Sequence, residues 1–313
     1  MMLYRSYSDY LKERYGEKVY KLPVNLPVSC PNRDGNLGVG GCIFCGAQGA
    51  GFEDLSNTLS VKEQLQKNKL YIGQRYKAKK FIAYLQNFTN TYLPLKVLKK
   101  YLEEITDPDI VEVAVSTRPD CLSDAYLDCF LQYGKEQGKN ISLELGLQTV
   151  NYHTLAKINR GHGLAEFIDA VLRLKKYDFV SCVHLILDLP WDDRRDVAEM
   201  ARIISALQIE QVKLHSLYVV KGSALAESYL AGNLTLLSKE EYIARVMLFL
   251  ENLDSRVVVQ RLIGRAPKED TLIANWNTSW WKIKEEIEEK MRANDTYQGK
   301  YCNYLNGAAL RIF

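Results

Sequence analysis

Short apolar runs with strand character alternate along the chain with stretches whose apolar residues recur at helical spacing. The runs are VNLPVS (24–29), FIAYLQ (81–86), IVEVAVST (110–117), ISLELGLQ (141–148), SCVHLILDL (181–189) and VKLHSLYVV (212–220). Helical stretches fall between them, near 60–75, 94–105, 123–137, 164–177 and 193–208. Two have start signals. Ser60 precedes VKEQL, and Ser123 and Asp124 precede AYLDCFL, so a short polar side chain can accept from the orphan N–H groups of a first turn. This β/α alternation predicts a parallel sheet with helices outside it.

Six such units predict an α/β fold, a partial (β/α)6 TIM-like barrel; a doubly wound open sheet is the structural rival. In a barrel, alternate residues of each strand face inward. Ser142, Glu144, Gly146 and Gln148 then face the lumen, with Ile141, Leu143, Leu145 and Leu147 toward the helices. On the next strand His184 and Asp188 point inward and Val183, Leu185, Leu187 and Leu189 outward; on the sixth, Lys213 and His215 point inward. A barrel packed with hydrocarbon would not hold so many polar groups, whereas one with a substrate cavity would, because buried polar groups need partners or a ligand.

Beyond about residue 237 the pattern changes to a helix at 239–253, a strand-like RVVVQRL (256–262) and a long helix around 269–292. The expected division is a barrel with its N-terminal segment over 1–237 and a C-terminal α/β extension packed on it over 238–313.

Charge adds little: 41 basic against 38 acidic residues, a net of +3, neither requires nor excludes a nucleic-acid partner. No apolar run reaches membrane-spanning length, and MMLYRSYSDYLKERYG carries charge where a signal peptide is apolar. A cytoplasmic protein without a membrane partner is the expectation. Seven cysteines in that setting point to metal, catalysis or burial, not to a disulfide framework.

The segment CPNRDGNLGVGGCIFCG (30–46) follows the first strand candidate, so it belongs to the face where barrel enzymes keep their active sites. Cys42 and Cys45 form a Cys-x-x-Cys pair, and Gly35, Gly38, Gly40 and Gly41 let the loop turn back toward Cys30. Three thiolates suit a [4Fe–4S] cluster with one iron left open. A structural zinc would want a fourth ligand, which only folding could bring from Cys121. A thioredoxin-like pair gives Cys30 no role. On spacing alone the cluster, zinc and plain structural readings all stay open.

The motifs NRDGNLGVGGCIFC, YLQNFTNTY, STRPDCLSD, LELGLQTVNYHTLAKINRGH, HLILDLP, VKLHSLYVVKGSAL and VVVQRL occur in that order over roughly residues 3–280. Together they resemble the bacterial radical S-adenosylmethionine (SAM) proteins of the YhcC/YtqA type, which are related to the catalytic subunit of Elongator. The resemblance implies a barrel of the radical SAM type. It also implies a cluster on Cys30, Cys42 and Cys45 whose open iron chelates SAM, and a 5′-deoxyadenosyl radical as the reagent. An electron donor such as flavodoxin or ferredoxin is implied as a partner.

Carried over motif by motif, Phe44 lies at the aromatic position near the adenine. Asn87, Phe88 and Thr89, with Asn90, stand where the family has a Gly-Gly-Glu-like segment receiving the methionine amine. Thr117 and Arg118 end the third strand. Arg118 or Arg160 is implied as the partner of the SAM carboxylate, since a guanidinium fork suits it, and Glu144 or Gln148 as the ribose contact. HLILDLP, headed by His184, matches the adenine-side strand. Asp188 stands where the family has glycine, which bears on the turn there and on the room beside SAM. The long gap between the first two cysteines fits the Elongator-related branch.

Each residue has a plainer reading. Glu144 could be a lumen carboxylate paired with a lysine or arginine, Gln148 and His184 satisfied core groups, and His215 a structural histidine. Cys121, Cys129, Cys182 and Cys302 read as buried thiols. Trp276, Trp280 and Trp281 read as core anchors of the last helix rather than an RNA platform. Lys213 and His215 match neither cluster nor SAM motifs and would approach from the substrate side, as the catalytic candidates. By analogy to the Elongator branch, RNA modification is the first function implied. A small metabolite or peptide substrate, or a non-enzymatic zinc or iron–sulfur protein, remain the alternatives. Acetyl transfer is not carried over, because the chain after the barrel is too short for an acetyltransferase domain.

Overall fold

The apolar runs become strands because each buries one face under helices and lends the other to a lumen. In a computed structural model, which describes residues 2–46, 49, 55–265 and 269–312, the elements run as follows. They are α1 (Tyr7–Tyr15), β1 (Val19–Val24), α2 (Val61–Tyr76), β2 (Lys80–Leu85), α3 (Leu95–Glu103), β3 (Ile110–Thr117), α4 (Asp124–Gln137), β4 (Asn140–Gln148), α5 (Tyr152–Lys157) and α6 (Leu164–Leu174). There follow β5 (Val180–Ile186), α7 (Arg194–Ala206), β6 (Gln211–His215), β7 (Val219–Val220), α8 (Ala224–Leu230), α9 (Lys239–Asn252), β8 (Val258–Arg261), β9 (Thr271–Ile273) and α10 (Trp280–Ala293).

The main sheet is parallel, in the order β1-β2-β3-β4-β5-β6-β8, and curls into the expected partial barrel. Its seventh strand, β8, comes from the stretch read as an extension. Leu143, Leu145, Val183 and Leu185 pack outward into the main core with Phe130, Phe167 and Phe249. Between the two edge strands the barrel stays open, and α1 lies there. Ser6 bridges to Val259, and Leu11 packs on Val19, Ile82, Tyr84 and Ala114 inside the sheet. This helix plugs the end of the lumen opposite the cysteine loop. Its Ser6 cap accepts from Asp9 N.

Caps explain why the helices begin where they do. Ser60 and Glu63 form a reciprocal box at the start of α2, as do Asp193 and Asp196 at α7. Ser123 makes no such bond at α4.

Several expected elements shift. The first strand is 19–24, not 24–29. It is an edge strand, where Pro23 is tolerated because a missing N–H on the open side costs no ladder bond. The run 212–220 breaks into β6 and the short β7, which pairs antiparallel with β9. The helix expected from about 269 starts at Trp280, because Asn275, Trp276 and Asn277 all take positive φ. Of the three tryptophans only Trp276 is an anchor, donating to Leu237 O (2.7 Å); Trp280 and Trp281 are exposed, and Ile283, Ile287 and Met291 bury the helix instead. No helix among the described residues is long and apolar enough to cross a membrane.

Candidate active site

The cysteine loop leaves β1 and docks on the turn that follows α5. Asn32 donates to Asn159 O (2.6 Å), Asn159 donates back to Gly41 O (2.8 Å), and Ile43 N donates to Ile158 O (3.0 Å). Gly41 sits at φ 85°, a left-handed conformation that carries the chain back toward Cys30. Cys30, Cys42 and Cys45 all reach the rim of one cavity of about 320 Å³ at the strand ends.

Each sulfur has its own arginine. Arg33 donates to Cys45 Sγ (3.3 Å), Arg160 Nη1 to Cys42 Sγ (3.6 Å), and Arg118 Nη1 approaches Cys30 Sγ (3.9 Å). Burial pushes the Cys45 thiol up, with Arg33 opposing it. Three cations around three cysteines favour a group that keeps the sulfurs as thiolates. Three thiolates suit a cluster with one iron left open. Among the described residues, Glu144, Cys182 and His184 also bring their ligand atoms within 4.8 Å of one another. That triad is no metal site, because both Glu144 oxygens are taken by protein donors.

Of the expected cofactor residues, Phe44, Phe88, Thr89, Thr117, Arg118, Glu144, Gln148, Arg160 and His184 line this same cavity. Asn87 does not: it is buried against Asn25, donating to its Oδ1 (3.3 Å), and turns its own Oδ1 to Phe88 N. Phe88 (φ 49°) and Gln148 (φ 78°) reach the cavity through left-handed backbone, at the end of a turn and of β4. Thr117 Oγ1 bonds Thr91 Oγ1 (2.5 Å), which leaves its methyl for the lining.

The two arginines proposed for a carboxylate differ. Arg118 is held by Asp120 (2.9 and 2.7 Å) and by Arg160 O (2.9 Å). Arg160 donates to Gly146 O (2.6 Å) and Cys42, while its buried Nε has no partner among the described residues. Such an orphan donor is costly unless a ligand takes it. Asp188 does not line the cavity, contrary to the alternation rule. Strand β5 ends at Ile186, and the Asp188 carboxylate turns to accept from Leu217 N (2.8 Å). It takes no room from the cavity.

Deeper in the lumen the side chains converge on Glu144. Lys21 and Gln260 (3.0 Å) donate to its Oε1, His184 Nε2 (2.8 Å) and Lys213 (3.0 Å) to its Oε2. With those positions filled, Glu144 offers no free oxygen to a ribose, and the plainer pairing reading of this residue is the observed one. Burial would raise the Glu144 carboxyl, but Lys21, Lys213 and His184 outweigh it and hold it well below the usual range. Lys213 also donates to Tyr84 Oη (2.8 Å). Burial, reinforced by Lys21 and Arg261, brings Lys213 down to about 8 against the pull of Glu144.

The histidines fall into one directed chain. His184 gives its Nε2 proton to Glu144, so its Nδ1 accepts from His215 Nε2 (3.3 Å). His215 Nδ1 then accepts from Arg261 Nη2 (2.7 Å). Burial, with Lys213 beside it, lowers His184 to about 4; burial and Arg261 hold His215 well below its ordinary value. Both rings are neutral at neutral pH.

Sequence reasoning missed Arg33, Lys21, Tyr84, Gln260 and Arg261. The last two stood in VVVQRL, but a register shift opposite Val212/Lys213 lets both of these neighbours serve the lumen, which strict alternation forbids. Cys129 and Cys182 are buried as expected; Cys121 and Cys302 are half-buried.

Comparison with known proteins places these features. Residues 29–204 match the radical SAM superfamily model, and 209–293 match a radical SAM C-terminal domain model. The chain is 33% identical over 303 residues to the uncharacterized protein YtqA of Bacillus subtilis, covering 96% of this chain and 94% of that one. It is 28% identical over 175 residues to Elongator complex protein 3 of Schizosaccharomyces pombe, covering 53% of this chain and 31% of the yeast protein. The solved structure of Elp3 from Methanocaldococcus infernus superposes with a TM-score of 0.69 at 16% identity, over 90% of this chain and 64% of that one. That last likeness is one of fold.

Proposed function

The chain belongs to the radical SAM superfamily, whose enzymes use a [4Fe–4S] cluster and SAM, and on that premise we propose that it modifies RNA. When bound, the cluster and SAM supply one-electron cleavage to a 5′-deoxyadenosyl radical that removes hydrogen from a substrate. Cys30, Cys42 and Cys45 hold the cluster, and Arg33, Arg118 and Arg160 stabilise the thiolates by donating to them. Such hydrogen bonds are among the levers that set a cluster's potential.

Arg160 Nε is the donor for the SAM carboxylate. Thr89 and the backbone around Phe88 take the methionine amine, Gln148 the ribose, and Phe44 and the β5 strand flank the adenine. Glu144 and His184 act behind these as organisers of the lumen. Lys213 and His215 lie on the substrate side, where they help to hold the target hydrogen in reach. The cytoplasm and a flavodoxin- or ferredoxin-type donor belong to the same proposal.

The observation that carries the enzymatic reading is the trio of cysteine sulfurs, each with an arginine, at the rim of a polar lumen. RNA as substrate is supported by the sequence similarity to Elongator complex protein 3. The test is mass spectrometry of nucleosides from total RNA of cells with and without the gene. One modified nucleoside should vanish in the deletion and return on complementation, but not with Cys42→Ala. An unchanged nucleoside profile would remove RNA and leave a small molecule or peptide as substrate.

A further inference from the structure

Among the described residues, the lumen holds more positive charge than its one carboxylate answers. Lys21 and Lys213 share Glu144. Arg261 has no carboxylate within ion-pairing distance among the described residues. It donates to Leu214 O (3.3 Å) through Nε and to His215 through Nη2, and its Nη1 makes no hydrogen bond among them. The neutral His215 and His184 rings stand between the guanidinium and the Glu144 carboxylate and fix it without neutralising it. A half-buried cation left without a counter-charge in a lumen is a ready partner for something anionic.

A second group points to the same place. The Tyr218 hydroxyl is buried and without a hydrogen-bond partner among the described residues. Ser216 Oγ lies beside it but gives its own proton to Asn275 Oδ1 (2.7 Å). Burial raises the phenol to about 12, so it stays protonated and remains a donor. Gly264 is what lets the two donors meet: a Cβ there would lie 2.3 Å from Tyr218 Oη and 3.1 Å from Arg261 Nη2. Both side chains line the cavity that also receives the three cysteines, but they sit on the β6 and β8 side, apart from Arg33, Arg118 and Arg160.

We infer that Arg261 and Tyr218 form a seat for an oxyanion of the substrate, a phosphate or carboxylate group, at the β6/β8 side of the lumen. This rests on the reading of the lumen as the substrate chamber of a radical SAM enzyme. Arg261 supplies a planar, permanently charged donor and Tyr218 a neutral one, a pairing suited to anionic oxygen. His215 acts through Arg261 as a positioning residue, since both its ring nitrogens are engaged.

The test uses cluster-loaded, SAM-saturated protein under anaerobic conditions, with the cluster-free protein in parallel. Inorganic phosphate and acetate are titrated separately and followed by calorimetry and, for phosphate, by ³¹P line width. At least one of the two should bind saturably, one per chain. Arg261→Gln should weaken it at least about tenfold, one charge-assisted contact. Tyr218→Phe should weaken it roughly three- to tenfold, and Arg261→Lys should recover part of the loss. Arg195→Gln, on the exposed start of α7, should change nothing. Competition by an RNA oligonucleotide assigns the anion to nucleic-acid phosphate; competition only by small phosphate esters or carboxylates assigns it to a small acid. No saturable binding of either probe, or equal loss in Arg195→Gln, overturns the seat. Iron content and 5′-deoxyadenosine formation, read on the same samples, test the radical SAM reading separately. A protein that loads iron and cleaves SAM but binds neither anion loses only the seat.

Discussion

Replacing Glu144 with glutamine removes the carboxylate that Lys21 and Lys213 share and keeps the side-chain shape. At the 3.0 Å separation of Lys213 from Glu144, Coulomb's law with an effective dielectric of about 20 gives ~5–6 kcal/mol for one pair. Lys21 adds a second pair. The desolvation cost of the Glu144 charge, which the variant no longer bears, offsets much of the sum, and breaking a buried pair by removing one partner costs about 3–5 kcal/mol. For 313 residues, an unfolding entropy of about 2.1 cal/mol/K per residue gives ~0.66 kcal/mol/K, so Tm should fall by roughly 5–8 °C. The double variant Glu144→Gln/Lys213→Met removes one stranded ammonium and should recover about half of that loss. Iron content should stay at the wild-type level in both, because the arginines that touch the sulfurs make no contact with Glu144. Anaerobic calorimetry with iron analysis on the same samples measures both. A Glu144→Gln protein that melts within about 1 °C of wild type, or a double variant no better than the single one, would refute the shared-charge argument.

Reconstituted wild-type protein should carry about four irons per chain; Cys42→Ala should lose them and Cys302→Ala should not, and equal loss would move the cluster off the loop. Gly146→Ala would place a methyl 2.8 Å from Arg160 Nη2. It should weaken SAM binding about tenfold with iron retained, and an unchanged Kd by equilibrium dialysis would free Arg160 of its carboxylate role. Burial pushes the Asp188 carboxyl up to about 7, above its unfolded value. The folded state is therefore unpenalised below about pH 4, and the penalty grows to roughly 4 kcal/mol as pH rises through 7. Asp188→Asn should gain Tm over wild type across that window, roughly 6 °C in full, and a pH-independent difference would contradict it.

Local signals in the chain were enough for the alternation of strands and helices, for caps such as Ser60, and for the cysteine loop at the strand ends, because periodicity, capping and glycine turns act between residues close in sequence. They also set most of the inward list: Glu144, Gln148, His184, Lys213 and His215 all reach the lumen, since a strand's alternation is a property of its own backbone. Pairing decided the rest. Which residues answer Glu144 depends on how β1 and β8 are brought across the open side of the sheet, from residues 123 and 116 positions away. The shift of register in β8 that turns both Gln260 and Arg261 to use has no mark in VVVQRL itself. Alternation likewise stopped at Ile186, so that Asp188 left the lumen for a backbone N–H. Charge balance in a buried space is a sum over long-range neighbours, and only the folded chain fixes which neighbours enter the sum.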